Sequence, residues 1–415
     1  MKQLCYTLLI IFTFLTIISC SEEKESLETI ELFEISYGKM ANQLDVFEQE
    51  KIPSRSRPHI YMRNGLFYIA NGNSAKIMQF NSYGDLLALY YNKDRNPTPV
   101  TMAEPSEEGI QANRKAFPYS FNQLGDIAVS PNKMILAEDK ISRDHRTRDN
   151  ELNAMLDRVV LRFNMQGKLI DYLGQEGIGG TPFPYIERVQ VTKQGNPIVI
   201  CKTTKHRLVY WFTEEGILKY KVKIALENLP KPKQENIIAS MESIYAAPDK
   251  ERIYMKIDYY EKSIDTATGA QSGVSYTESR VYWLDMDQKT YTGNITVPEN
   301  IKMHQGTGVF DREEVRYLYE FLGTTSDGYL FFLSTEEVNS FKLLIMDTTG
   351  TVIERKAINL ENEIIHYKSF HLSAKGILSA LISTPDRGRI VWWRSDKLIE
   401  VKDDENSKLF PNVGN

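Results

Sequence analysis

The feature that most constrains the fold is a unit that recurs six times along the chain. Each unit contains an apolar second strand, an apolar third strand and a closing turn rich in Asn, Asp and Gly, which favour tight turns. The second strands are predicted at 66–70, 134–137, 197–200, 253–257, 329–333 and 377–381. The third strands are predicted at 76–80, 158–163, 207–212, 280–284, 341–346 and 389–393. Six four-stranded units of about 45 to 70 residues predict an all-β fold, a six-bladed β-propeller.

A ring explains this composition better than an open sheet does. The strands are rich in Ile, Val, Leu, Tyr and Phe at adjacent positions, which is typical of strands buried on both faces. Each blade therefore needs a neighbour on both sides, and closing the ring removes most exposed edges. Segment 30–37 alternates like a strand before the first unit, so we expect it to pair with the last blade. Two β-sandwiches are the alternative architecture, but they would not explain six similar units.

Two segments resemble a known repeat family. Residues 65–84, GLFYIANGNSAKIMQFNSYG, resemble an NHL-type propeller repeat. The Gly-rich segment 174–186 is similar to the entry segment of such a repeat. The match is good in unit one and at the junction of units two and three, and it is degenerate in units four to six. The resemblance implies an NHL-like propeller and carries no activity with it.

The N-terminus indicates export and lipidation. Lys2 precedes an apolar run, Leu4–Ile18, which at about 1.5 Å per residue is shorter than the hydrocarbon core of about 30 Å, as in a signal peptide. The run ends in Ile17-Ile18-Ser19-Cys20, which resembles the lipobox of bacterial lipoproteins. That resemblance implies cleavage before Cys20 and acylation of Cys20, for example with palmitate, so that two or more chains hold the protein on a membrane. A secreted protein with a chance cysteine is the alternative.

These features predict the domain organisation and the compartment. We expect a signal peptide at 1–19, a lipidated tether at 20–29, the propeller at 30–402 and a tail at 403–415. A lipobox ahead of a degenerate NHL-like ring also resembles uncharacterised propeller lipoproteins of spirochaetes. We therefore expect a protein of the bacterial cell envelope, with its domain in the periplasm or on the cell surface. The charged fraction of 25% and the net charge of −5 give no indication of a nucleic-acid partner.

The units differ mainly in five long connections, which we call the insertions. They are residues 92–124, 138–157, 226–236, 261–279 and 299–316. Each follows the second or the outermost strand of a unit, and connections of that parity leave one face of a propeller. Loops on a rigid scaffold commonly carry binding. Tolerated decoration or disorder is the alternative explanation for long loops.

Several candidate sites have a plainer structural explanation. His366 and His371 are five residues apart, so a regular strand would place them on opposite faces. Asp285 and Asp287 lack the Gly and the distant Glu of an EF-hand loop, which favours turn chemistry. Arg143, Arg146 and Arg148 alternate with acidic residues such as Glu138 and Asp139, which indicates a solvated, self-neutralising loop rather than an anion site. Cys201 lies in an apolar run and is predicted to be a buried strand residue.

Two columns of large side chains are predicted to pack between blades rather than to form an aromatic cage. The first column contains Trp211, Trp283 and Trp392. The second column contains Phe80, Phe163, Phe212, Leu284, Met346 and Trp393.

These observations indicate only a general class of function and no specific activity. The leading hypothesis is a non-enzymatic lipoprotein that binds a protein, peptide or glycan partner through the insertions. The alternatives are a metal-dependent hydrolase or lyase in the central channel and a structural scaffold of an envelope complex. We expect no cofactor, and we assign no catalytic or metal-binding residue.

The anchor can be tested directly by substituting Cys20. Cys20→Ala removes the only thiol at the predicted acylation site, so the precursor should lose acyl labelling and leave the detergent-extracted lipoprotein fraction. Metabolic labelling with a clickable fatty acid checks this, with Cys201→Ala as the matched control. Unchanged labelling of Cys20→Ala would contradict lipidation at this position.

Overall fold

A computed structural model describes residues 26–46, 57–103, 114–234, 236–264, 271–305, 312–360 and 364–400. The predicted signal peptide, the acylation site Cys20 and the tail at 403–415 lie outside these residues. No helix in the part of the chain that the structure describes has the length and apolarity of a membrane-spanning segment.

Strands dominate the described residues. In chain order they are β1 (Ile30–Ser36), β2 (His59–Arg63), β3 (Leu66–Asn71), β4 (Lys76–Phe80), β5 (Leu86–Tyr91), β6 (Lys115–Pro118), β7 (Ile127–Val129), β8 (Ile135–Lys140), β9 (Thr147–Asp149), β10 (Ala154–Leu156), β11 (Arg158–Phe163), β12 (Leu169–Gly174), β13 (Gly177–Ile178), β14 (Ile186–Val191), β15 (Pro197–Lys202), β16 (His206–Phe212), β17 (Leu218–Ala225), β18 (Ile237–Ala246), β19 (Arg252–Ile264), β20 (Gln271–Asp285), β21 (Tyr291–Val297), β22 (Asn300–Gln305), β23 (Arg312–Tyr317), β24 (Tyr319–Thr324), β25 (Leu330–Glu337), β26 (Ser340–Met346), β27 (Val352–Asn359), β28 (Tyr367–Leu372), β29 (Leu378–Ser383) and β30 (Arg387–Trp393). Short 3₁₀-helices cover Arg143–His145 and Leu226–Asn228, and a helical turn covers 396–400.

Six of the sheets are the blades of a propeller. From the inside outwards, blade 1 runs β2-β3-β4-β5-β6, blade 2 runs β7-β8-β11-β12-β13 and blade 3 runs β14-β15-β16-β17. Blade 4 runs β18-β19-β20-β21, blade 5 runs β24-β25-β26-β27 and blade 6 runs β28-β29-β30-β1. The predicted second and third strands lie at these positions, so the six-bladed fold is confirmed.

The innermost strands surround a central channel. Strand β2 lies against both β7 and β28, β7 lies against β14, and β24 lies against β18 and β28. Between blades 3 and 4, the Gln190 side chain accepts a hydrogen bond of 2.9 Å from the Ala246 amide, and Arg188 stacks on Tyr245. The ring of inner strands is therefore continuous.

The hydrophobic core is divided among the blade interfaces. Six clusters of buried side chains occur in the described residues, and each lies between two neighbouring blades. Strand β15 shows why, because Pro197 through Cys201 are all buried and alternate between its two faces. A blade of this composition can be stable only when both its faces are covered.

The ring is closed by its N-terminal strand. Strand β1 pairs antiparallel with β30, from Ile30 opposite Trp392 to Ser36 opposite Arg387, so the predicted pairing with the last blade is confirmed. Phe33 and Ile35 are buried between blades 6 and 1, where the Phe33 ring centroid lies 5.3 Å from that of Phe80. One blade is thus assembled from the two ends of the described chain.

The insertions leave one face of the disc, which we call the insertion face. Each described part connects strands of the predicted parity, and neighbouring insertions contact one another. The Lys262 amide donates to the Asn236 carbonyl at 3.0 Å, and the Arg316 guanidinium carbon lies 5.5 Å from the centroid of the Tyr276 ring. The opposite face, which we call the tight-turn face, carries the short turns. There the Lys193 amide of blade 3 donates to the Pro248 carbonyl of the neighbouring blade 4.

The insertions were expected to be loops, but their described parts contain regular strands. Much of 261–279 continues β19 and β20 as a long hairpin, and 299–316 contains the hairpin of β22 and β23. Residues 92–124 contain β6, which extends blade 1 by pairing parallel with β5. Residues 138–140 belong to the blade strand β8, and only the remainder of 138–157 carries the small hairpin of β9 and β10.

Ring closure should make Phe33 a large contributor to stability. Phe33→Ala leaves a cavity between blades 6 and 1, and we expect the free energy of unfolding to fall by about 3–5 kcal/mol. Glu34→Ala on the same strand is the control, because Glu34 is half-exposed and its ion pair with Arg387 contributes less than about 1 kcal/mol. Chemical denaturation checks both variants. Equal stability of Phe33→Ala and the parent would contradict the role of β1 in closing the ring.

Candidate functional site

A cavity of about 880 Å³ occupies the central channel. Its wall is formed by residues of all six innermost strands, together with the first turn of each blade. The contributing turn residues include Gly65, Pro131, Lys193, Pro248, Asp327 and Lys375. No described residue of the five insertions lines this cavity. The cavity therefore extends towards the tight-turn face, away from the loops that the sequence singled out.

Three basic side chains from three blades line the cavity. They are Arg63 at the end of β2, Arg188 on β14 and His371 on β28. The Arg188 guanidinium carbon lies 3.7 Å from the centroid of the Tyr245 ring, a cation–π contact that holds the side chain against the channel wall. The Nε atom of Arg188 is buried and has no hydrogen-bond partner among the described residues. Two guanidinium groups and one imidazole therefore line the same cavity.

His371 is held as a neutral donor. Its Nδ1 accepts a hydrogen bond of 3.3 Å from the Met62 amide, which assigns the proton to Nε2. Its ring also packs on that of Tyr61, with 4.3 Å between the centroids. Burial, together with the nearby charges of Arg63 and Arg188, lowers the pKa of His371 to about 3. The imidazole is therefore uncharged near neutral pH.

The carboxylates of Asp126 and Glu187 in the cavity wall already have partners. Asp126 Oδ2 accepts a hydrogen bond of 2.8 Å from the Val189 amide, and its Oδ1 lies 3.7 Å from His59 Nδ1. Glu187 Oε2 lies 2.7 Å from Arg207 Nε. In contrast, neither Arg63 nor Arg188 forms an ion pair with a described carboxylate.

Arg63 and the acidic groups occupy different depths of the channel, whereas Arg188 directly follows Glu187 on β14. His59 is the first residue of β2 and Arg63 is its last, so they are about 13 Å apart along the strand. Asp126 directly precedes β7, and Glu187 is the second residue of β14, so both lie near the starts of the inner strands with His59. The acidic end faces the insertions, and Arg63 lies towards the tight-turn face.

The acidic residues of blade 2 correct a sequence-based interpretation. Glu138 and Asp139 were expected in a solvated loop, but they belong to β8 and are buried. Glu138 Oε1 lies 2.9 Å from Arg158 Nη1 and its Oε2 accepts from the Asp126 amide, while burial raises the pKa of Glu138 to about 7. These groups form a charged layer behind the channel wall.

The described hydrogen bonds of the basic cluster in that insertion go to neutral groups. Arg143 is exposed, Arg146 donates to the Ile141 carbonyl at 3.1 Å and Arg148 donates to the Asn153 side chain at 2.7 Å. The cluster lies at the surface, as predicted, and its arginines form no direct ion pair with the acidic residues of the described insertion.

Other predictions for single residues are confirmed. Asp285 Oδ1 accepts hydrogen bonds from the amides of Asp287 and Gln288, as turn chemistry requires. His366 binds the Ser383 carbonyl through its amide and lies outside the cavity wall, so it does not join His371. Cys201 is buried, which raises the pKa of its thiol.

The aromatic columns pack as predicted. All six members of the second column are buried, and in the first column Trp211 is buried while Trp283 and Trp392 are half-buried. No group of three or more His, Cys, Asp or Glu side chains that could bind a metal ion occurs within the described ranges.

Sequence reasoning did not single out Arg63 or Arg188. One signal was present, because the innermost strands are more polar than the second and third strands. Strand β14 contains the polar residues Glu187, Arg188 and Gln190, whereas β15 opens with a wholly apolar run. Polar side chains on a strand at the centre of a ring indicate that the strand faces a solvent-filled channel.

Comparisons with known proteins give only a general likeness. No protein-family model matches the chain, and no curated protein matches it. Among solved structures, it is similar to the β-propeller domain of the Trilobed protease from Pyrococcus furiosus, with 10% identity, a TM-score of 0.38 and coverage of 81% of this chain and 95% of that one.

Two further structures are similar to the same degree. One is the calcium-binding protein regucalcin from Agrobacterium tumefaciens, with 10% identity, a TM-score of 0.37 and coverage of 82% and 89% of the two chains. The other is an ulvan lyase of a polysaccharide lyase family, with 10% identity, a TM-score of 0.40 and coverage of 89% and 96%. None of these similarities is strong enough to carry an activity to this chain.

The half-buried, neutral imidazole of His371 predicts a specific dependence of stability on pH. Its folded pKa of about 3 lies below the unfolded value of about 6.5, so the unfolded chain binds more protons between these values. Stability from this residue is therefore complete above pH 6.5 and is lost as the pH falls. Between pH 7 and pH 5 the parent should lose about 2 kcal/mol more unfolding free energy than His371→Asn, which keeps an acceptor near the Met62 amide.

Denaturant titrations at the two pH values measure this difference. His145→Asn, at an exposed position, is the control for loss of a histidine at the surface. The same pH dependence in the parent and in His371→Asn would show that the fold does not hold His371 in its neutral form.

Proposed function

We propose that this chain is a membrane-tethered binding protein. In this proposal Cys20 carries the lipid anchor in the cell envelope, and the propeller holds a protein, peptide or glycan partner on its insertion face. The observation that supports it best is a pair of hairpins that stands on that face. We call the hairpin of β19 and β20, together with the hairpin of β22 and β23, the hairpin pair.

The first hairpin extends beyond the body of blade 4. Strand β21 pairs with β20 only from Ser279 onwards, whereas β19 and β20 continue to pair as far as Ile264 and Gln271. Side chains at 261–263 and 271–275 are almost all exposed. A long hairpin that buries few side chains contributes little to the core, which favours a role in recognition.

The second hairpin packs beside the first. Arg316 of β23 lies over the Tyr276 ring and 3.4 Å from Glu299, so it links the bases of both hairpins. Val274, Ile301 and Met303 of the hairpin pair are 41–58% exposed. Together they offer apolar contacts next to backbone and charged groups, a combination suited to an extended peptide or a glycan.

The other two functional hypotheses lack a comparable observation. His59 and Asp126 lie close together at the insertion-side end of the channel, but the described residues hold no group of three or more His, Cys, Asp or Glu side chains that could bind the metal of a hydrolase or lyase. No feature of the same residues is specific to an envelope scaffold, so we propose neither.

Trimming the first hairpin tests the proposal. Replacing residues 261–275 with Asn-Gly joins Tyr260 to Tyr276, which already face each other in the register, through a two-residue turn. We expect the variant to melt within a few degrees of the parent and to lose most of its captured partner. The measurement is cross-linking in membranes with the full-length lipidated protein, followed by quantitative mass spectrometry.

Site-specific photo-cross-linking supplies the matched control. A photoreactive residue at Val274 or Ile301 should capture the partner, whereas one at Tyr83 or Met165, which are exposed apolar positions on the tight-turn face, should not. Equal capture from both faces, or unchanged capture after trimming, would contradict recognition through the insertion face.

A further inference from the structure

We propose that the central channel is a second binding site, which takes a small molecule bearing an oxyanion, a carboxylate or a phosphate, through Arg63, Arg188 and His371. This site is separate from the insertion face and does not depend on the function proposed for that face. A volume of about 880 Å³ lies within the usual range for small-molecule sites.

The two arginines on the innermost strands, Arg63 and Arg188, form no ion pair in the described part of the chain. Asp126 and Glu187 are committed to the Val189 amide, His59 and Arg207, while the two arginines have no described carboxylate partner. Both arginines line the same cavity as His371, and the amide of Met62, the neighbour of Arg63, donates to His371 Nδ1. Like charges in a confined space raise the local potential, and an anion would lower it. The rim at the tight-turn face carries both signs: Lys193, Lys375, Asp327, Asp396 and Glu400.

Two residues that line the cavity carry a buried polar atom without a partner among the described residues. The Nε atom of Arg188 and the Oγ1 atom of Thr324 are buried, have no partner among the described residues and belong to residues that line the cavity. Buried polar atoms are almost always paired in folded proteins. An oxyanion beside Arg188 would supply the kind of acceptor that its Nε lacks.

The donor set suits oxyanions rather than other ligands. A guanidinium presents a planar fork that matches a carboxylate or a phosphate through two parallel hydrogen bonds. His371 adds a neutral Nε2–H donor, which can bind an anionic oxygen without adding to the repulsion between the arginines. Apolar wall residues such as Met62 and Leu322 leave room for an uncharged body, such as a sugar ring, beside the anionic group.

Isothermal titration calorimetry on the full-length protein in detergent tests the site. The probes are D-glucuronate and glucose 6-phosphate, which carry the two oxyanions on a sugar, and D-glucose as the uncharged match. We expect saturable binding of at least one anionic probe and none of glucose. Comparison of the two anionic arms distinguishes a carboxylate ligand from a phosphate ligand. Binding of glucose with equal affinity, or no binding of either anion up to tens of millimolar, would overturn the proposal.

Charge-removing variants locate the site. Arg63→Gln and Arg188→Gln should each weaken binding of the anionic probe tenfold or more, because each loses a charge-assisted pair of hydrogen bonds. Arg143→Gln, an exposed arginine on the insertion face, should leave the affinity unchanged. An equal loss in Arg143→Gln would show non-specific attraction and would overturn the proposal.

Two further variants keep the test decisive. If Arg188→Gln does not fold, Arg188→Lys retains the charge without the planar fork and should still weaken binding several-fold. The variant trimmed at 261–275 should bind the anionic probe with the affinity of the parent. This result distinguishes loss of partner binding on the insertion face from loss of anion binding in the channel. An unaltered affinity in both Arg63→Gln and Arg188→Lys would overturn the assignment.

Discussion

The structure depends on the mutual covering of blade faces. Every blade has strands that are apolar on both sides, such as β15 and β29, whose six residues from Leu378 to Ser383 are all buried. No such sheet can be stable alone in water, because both faces would expose apolar area at a cost of about 25 cal/mol per Å². Six interface clusters and the pairing of β1 with β30 remove this exposure around the whole ring. Closure is thus a requirement of the composition.

The same constraint creates the channel and limits what can line it. Because the wide outer parts of the blades hold the apolar clusters, the inner strands meet only at their edges and leave a space at the centre. Charged groups behind the wall are paired, as in Lys256 with Asp258 at 2.5 Å and Arg158 with Glu138. Arg63 and Arg188 depart from this pattern, and that departure distinguishes the channel from the rest of the interior.

Much of the fold could be predicted from the sequence because its signals are local. The turn chemistry around Gly84 and Asp347 and the apolar runs of the second strands mark each blade without any knowledge of distant contacts. The alternation in β1 similarly indicated a strand that needed a partner. At two places polar residues suggested a loop where the structure has a strand. Glu138 and Asp139 resembled a loop but are buried against Arg158 and backbone amides, and the polar strand residues at 271–275 resembled an inserted loop.

The channel site could not be predicted in the same way. Arg63, Arg188 and His371 come from blades 1, 3 and 6, and only ring closure brings them together. No spacing along the chain records that convergence. Amide hydrogen exchange, followed by mass spectrometry, tests the closed ring most directly. A closed ring predicts that the amides of β1 that pair with β30 exchange as slowly as those of β29, since both open only on global unfolding. Rapid exchange across residues 30–36 while β29 stays protected would show that the ring is open.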